Sequence, residues 1–71
     1  MRFTRHAHNK LRLYGLTEAD VGAIIAGPAE ESVRPDGKPA AVGTIAGKRY
    51  RVIYAVEGGE MTIITVWDEK E

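Results

Sequence analysis

His6 and Lys10 stand four residues apart in the stretch Thr4–Gly15, which holds two histidines and three strong bases but no acid. On a helix that spacing stacks one side chain above the other. The pairing suits phosphodiester chemistry. An imidazole moves a proton in the transition state, and an ammonium group steadies the charge that develops on phosphate oxygens. A plain structural alternative stays open: a histidine near a helix start often only hydrogen-bonds to backbone or water, and a lysine snorkels from a boundary position.

Lys48-Arg49-Tyr50-Arg51 is the second constellation. Strand alternation puts Arg49 and Arg51 on one face. Two adjacent guanidinium groups repel unless an anion lies between them, and phosphate matches their paired donors. Cross-strand pairing with Asp68 is the structural alternative. Tyr50 and Trp67 are expected to face each other, as a platform for stacked bases or as core. Arg49, Arg51, Tyr50 and Trp67 are thus the candidate substrate-binding residues, and His6 and Lys10 the candidate catalytic ones. His8 falls on the solvated side of the helix, about 160° from His6, so the two histidines do not form a metal pair. With no cysteine in the chain and no convenient third ligand, no zinc site is expected, and cleavage of the kind these residues suit needs no cofactor. Ser32 has no partners to activate it, and Glu30 and Glu31 read as edge-strand charges.

The elements that position these groups are legible. Thr4 can cap a first helix that Gly15 ends in the left-handed conformation. Thr17-Glu18-Ala19-Asp20 has capping-box spacing, Leu16 can staple onto Val21, and Val21, Ile24 and Ile25 form a buried stripe that Gly27-Pro28 stops. On the wheel of the first helix, Ala7, Leu11, Leu13 and Tyr14 mark an apolar arc, with His6 and Lys10 inside it. After Pro28 the period becomes two. Strands are expected over Ala29–Arg34, Ala40–Ile45, Lys48–Val56 and Glu60–Trp67, with turns at Pro35-Asp36-Gly37, Ala46-Gly47 and Gly58-Gly59. If Glu57 faces Glu60, then Tyr54 faces Ile63, Val52 faces Thr65 and Tyr50 faces Trp67; if Ile45 faces Lys48, then Gly43 faces Tyr50. The expected architecture is α+β (ααββββ): two N-terminal helices packed on one face of a four-stranded antiparallel sheet. There is room for a short added strand at Arg2–Phe3 along an edge. The second sheet face is expected to be an apolar binding or dimer surface.

At 71 residues the chain reads as a single domain, residues 1–71, near the lower size for an independent core. Formal net charge is zero but unevenly placed. Arg2, Arg5, Lys10 and Arg12 crowd the start, while Glu57, Glu60, Asp68, Glu69 and Glu71 crowd the end. That balance argues against a protein that coats nucleic acid non-specifically and leaves room for a local basic site. No signal-like or membrane-spanning run is present, so a cytoplasmic location and no membrane partner are expected.

The order of these features carries a family resemblance. His6-Ala7 opens a helix, Lys10 follows, and Gly15-Leu16-Thr17-Glu18-Ala19-Asp20-Val21 starts the next helix. Pro28, an Asp36-Gly37 turn, the Gly47-Lys48-Arg49-Tyr50-Arg51-Val52 strand and the Thr62–Trp67 strand come after. Over nearly its whole length the chain resembles the bacterial family called domain of unknown function 4258. That family is similar to the RelE and BrnT toxins, small ribonucleases of toxin–antitoxin pairs. The resemblance implies a RelE-like fold, with RNA in a basic groove and an antitoxin protein as partner. His6 matches the family's His-Ala motif, Lys10 a position often held by arginine, and Arg49 and Arg51 the basic strand. Tyr14 stands where a second arginine is common.

Two functions follow as expectations. One is metal-independent RNA binding or cleavage, of the mRNA-interferase kind. His6 would act as acid or base in attack of a 2′-hydroxyl on the adjacent phosphate, and Lys10, Arg49 and Arg51 would hold that phosphate. The alternative is a non-catalytic module of the same fold that binds a protein partner or a second copy, forming a homodimer. It would do so through the free sheet face or the last strand, Met61–Trp67 being apolar on both faces.

Overall fold

The computed structural model describes residues 1–69. Lys70 and Glu71, at the acidic end of the chain, lie outside the described residues. The chain begins with β1 (Arg2–Phe3) and α1 (Arg5–Tyr14). Between them the Thr4 hydroxyl accepts from the Ala7 amide at 3.0 Å, satisfying one of the donors that a helix start leaves unpaired. Gly15 ends α1 at φ 70°, a conformation that strains any residue bearing a Cβ. In α2 (Glu18–Ala26) the cap is reciprocal. The Asp20 amide donates to Thr17 Oγ1 at 3.1 Å and the Thr17 amide to Asp20 Oδ2 at 2.9 Å, a capping box with aspartate in the glutamate role.

Four strands follow: β2 (Glu30–Val33), β3 (Pro39–Ile45), β4 (Lys48–Glu57) and β5 (Glu60–Asp68). Both tight hairpins have positive φ at their two central residues, Ala46-Gly47 at 52° and 82° and Gly58-Gly59 at 56° and 81°. Such turns match the right-handed twist of the strands they join. The strand order is β1-β5-β4-β3-β2. β2 to β5 form the expected antiparallel meander, but β1 pairs parallel to β5 through Arg2↔Thr62 and Phe3↔Ile63. The sheet is therefore five-stranded and mixed, not four-stranded and antiparallel. A parallel neighbour needs a long crossover, and everything from α1 to β4 serves as that crossover.

Both helices lie on one face of the sheet. Ala7 and Leu11 of α1 and Val21 and Ile24 of α2 pack with Ala41, Tyr50, Val52, Ile63 and Val66. The β3–β4 register has Ile45 opposite Lys48 and Gly43 opposite Tyr50, as the turn predicts. The β4–β5 register holds from Glu57↔Glu60 to Tyr54↔Ile63 and then shifts, so that Ile53 faces Thr65, Arg51 faces Trp67 and Tyr50 faces Asp68. One extra residue, Ile64, sits between the two registers as a β-bulge. A slip of one residue reverses every side chain beyond it. Val66 accordingly joins the helix-side core and Trp67 moves to the other face, the reverse of the unbulged reading.

Candidate functional site

The wheel of α1 places His6 inward, and the structure corrects this: His6 is exposed and Lys10 half-buried. Burial on α1 follows Ala7 and Leu11, with Tyr14 partly covered. Leu13, which widens the apolar arc toward His6, is 69% exposed. Without it the inward stripe is narrower and turns away from the imidazole. His8 is the better anchored histidine. Its ring stacks on Phe3 with centroids 5.4 Å apart, and its Nε2 lies 2.9 Å from Glu18 Oε2. Neither partner is on α1, so no helix-wheel argument finds them.

Tyr50 and Trp67 do not face each other. Tyr50 is 4% exposed and packs on Tyr14, ring centroids 5.7 Å apart, beneath the helices. Trp67 lies across from Arg51 on the opposite face, where the Arg34 guanidinium carbon stands 5.8 Å from its ring centroid. That is within cation–π range. The expected two-ring platform does not form, because the bulge at Ile64 separates its members.

Arg49 and Arg51 do share a face, the one turned from the helices, since they alternate with the core residues Tyr50 and Val52. Each has a carboxylate partner. Arg49 Nη2 is bonded to Glu30 Oε2, in place of the expected Asp68, which the bulge sets opposite Tyr50. Arg51 donates from Nε and Nη2 to the two oxygens of Glu69 at 3.0 and 2.6 Å. These hydrogen bonds hold the Glu69 carboxyl below its ordinary range, against a smaller opposing effect of burial, and push the Arg51 guanidinium up. Strand periodicity puts Glu69 on the face of Trp67, two residues before it, but only the bulge at Ile64 brings that face to Arg51. Glu30 reaches Arg49 across β3, through the β2–β3 and β3–β4 pairings.

This face is not the open apolar surface expected from the sequence. Ala40, Val42 and Ile53 point to it yet are only 1%, 1% and 2% exposed. Val42 lies between Glu30 on β2 and Arg51 on β4, and Ile53 between Ala40 and Thr65.

The two constellations therefore occupy opposite sides of the sheet, His6 and Lys10 in the helical layer and Arg49, Arg51 and Trp67 on the far face. The cations differ in kind as well. Arg34 and Lys38 pair with Asp36, Arg49 with Glu30 and Arg51 with Glu69. Arg2, Arg5, Lys10 and Arg12, and Lys48 at the start of β4, make no ion pair among the described residues. Arg5, Asn9 and Arg12 form one exposed stripe of α1, at helical spacings of four and three, and His6, Lys10 and Leu13 form the next. Among the described residues no group of histidine and carboxylate side chains converges as a metal site, and no helix is long and apolar enough to cross a membrane.

A scan of family models finds no match to this chain, and neither the curated proteins nor the solved structures yield one.

Proposed function

We propose that this chain is a small RNA-binding domain of the RelE and BrnT kind, whose contact surface is the outward side of α1 with Arg2 beside it. One observation carries the reading: the four cations of β1 and α1 lack carboxylate partners among the described residues, while Arg34, Lys38, Arg49 and Arg51 are each paired and only Lys48 at the start of β4 is also without one. Cations without a carboxylate partner are available to neutralise phosphates and so to release the counterions condensed on a nucleic acid. His6 stands on the same side, one turn from Lys10, and is reachable by a strand lying along the helix. It is the residue to take or return a proton if the bound phosphodiester is cleaved, with Lys10 steadying the phosphate. An antitoxin-like protein carrying an acidic segment would compete for the same stripe.

The test is binding of a labelled single-stranded RNA as salt is varied. Each phosphate contact contributes about 0.7 to the slope of log affinity against log salt, so Arg5→Ala/Arg12→Ala should reduce that slope by about 1.4. Affinity that ignores salt, or a double variant indistinguishable from the parent, ends the reading. Incubation of the RNA in EDTA then separates binding from cleavage: cleavage to a cyclic phosphate end should be lost in His6→Ala.

A second reading, the interaction module, has its own observation. β1 covers only Thr62 and Ile63 of β5, so Thr65–Asp68 is an edge without a strand neighbour on that side among the described residues. The opposite edge, β2, is guarded by exposed Glu30 and Glu31, whereas Thr65-Val66-Trp67 carries no charge. Strand addition there would give a homodimer or a complex with a partner strand. Size in solution, with RNA affinity insensitive to salt, is the result that favours this reading over the first.

A further inference from the structure

Glu69 lies just past the end of β5, where its amide donates to the Arg49 carbonyl at 2.7 Å. That bond seats its carboxylate on Arg51 in a two-pronged arrangement, Nε and Nη2 each donating to a separate oxygen. The remaining guanidinium nitrogen, Nη1, is 3.4 Å from Ser32 Oγ on β2. Arg49 stands on the same face two residues away, and Arg34 covers the ring of Trp67, which faces Arg51 across the strands. Three guanidinium groups thus share one face with a hydroxyl and an aromatic ring; Arg49 is paired with Glu30 and Arg34 with Asp36, and Arg51 is the one whose carboxylate lies past the end of the strand.

We infer that this cluster is an anion site, separate from α1, that takes the phosphate group of a phosphate ester, and that Glu69 occupies it as an internal stand-in. The paired donors of Arg51 fit two phosphate oxygens as they fit two carboxylate oxygens. Ser32 supplies a hydroxyl for a third oxygen, which a carboxylate lacks. Glu69 can leave without disturbing the ladder, since its carboxylate is held only by side chains, Arg51 and then Trp67, and its amide bond lies beyond the strand. Removal of the carboxylate therefore uncovers the site, and the ligand's apparent affinity is reduced by the fraction of time that Glu69 holds it.

The experiment follows the Ser32 backbone amide and Trp67 indole N–H resonances, both beside Arg51 and present in every variant, on titration with inorganic phosphate and, separately, with a nucleoside monophosphate. It compares the parent chain with Glu69→Gln, Glu69→Ala and Glu69→Gln/Arg51→Ala. Occupancy by the carboxylate about nine-tenths of the time predicts that both Glu69 variants bind about tenfold tighter than the parent. Phosphate affinity should be lost when Arg51 is also removed and should be unchanged by Arg5→Ala/Arg12→Ala, which separates this site from the helix. A nucleotide that binds better than inorganic phosphate supports the site and assigns part of it to Trp67; equal binding supports a site for the phosphate group alone. Glu69 variants that bind no tighter than the parent, or binding that survives loss of Arg51, overturn the inference.

Discussion

The Thr4 hydroxyl donates to the carbonyl of Ile64 at 2.9 Å while accepting from the Ala7 amide. One hydroxyl thereby joins the start of α1 to the bulge of β5, and the Thr4 amide adds a bond to the Ile63 carbonyl at 3.1 Å. The bulged residue has no partner on β4, and Thr4 takes its carbonyl. Thr4→Ala removes both hydroxyl bonds and should cost about 1–3 kcal/mol, a lost cap together with a lost partner for a part-buried carbonyl. Thr4→Ser keeps the hydroxyl and should recover most of that loss. Urea denaturation of the two variants checks this, and equal midpoints for them would show that the methyl group, not the hydroxyl, matters.

Gly43 of β3 lies directly beneath Ile24 of α2. A Cβ built there would lie 3.0 Å from Ile24 Cγ1 and 3.1 Å from Cγ2. Gly43→Ala should therefore overpack the core and cost about 1–3 kcal/mol. Ile24→Ala alone should cost about 2–5 kcal/mol by leaving a cavity. Together the two should cost less than their sum, because the new methyl enters the space vacated. Strict additivity in a double-mutant cycle would mean that the helix simply moves away from the strand.

The Arg51–Glu69 pair makes stability depend on acidity in a defined direction. The hydrogen bond from Arg51 holds the Glu69 carboxyl below its ordinary value of 4.5, so the folded chain releases that proton more readily than the unfolded one. Its contribution is fully present above the unfolded value and is lost as pH falls through the lower folded value. Asp36 acts with the same sign, held down first by the Lys38 amide. Urea midpoints of the parent and Glu69→Gln should be separated near neutral pH and converge on acidification below about pH 4.5. A constant separation across that window would remove Glu69 from the account.

The two histidines should separate cleanly by stability. His8→Ala loses the stacking on Phe3 and the contact with Glu18 and should cost about 0.5–1.5 kcal/mol. His6 is exposed, so His6→Ala should stay within about 0.5 kcal/mol of the parent. Thermal unfolding of both decides it. A strongly destabilised His6 variant would also spoil its use as a test of RNA cleavage.

Local chemistry was readable from local residues. The caps at Thr4 and Thr17, the left-handed Gly15, the stop at Gly27-Pro28 and the glycine hairpins each depend on a few neighbours in sequence, and each stands where the pattern put it. Strand periodicity likewise brought Arg49 and Arg51 to one face. The wheel of α1 failed at His6 because it weighed Leu13 as buried, and an exposed leucine is common enough that hydropathy alone cannot tell.

By itself the sequence determined the elements, their caps and the meander, because hydrogen-bonded turns and helix ends are short-range structures. Tertiary structure decided the rest: the parallel place of β1, the bulge at Ile64, the separation of Tyr50 from Trp67, and the carboxylates that neutralise Arg49 and Arg51. Each of these depends on contacts between residues remote in sequence, where a single inserted residue in β5 reverses which side chains meet. The physical reason is the period of two in a strand: once the ladder slips by one, side chains expected on one face stand on the other.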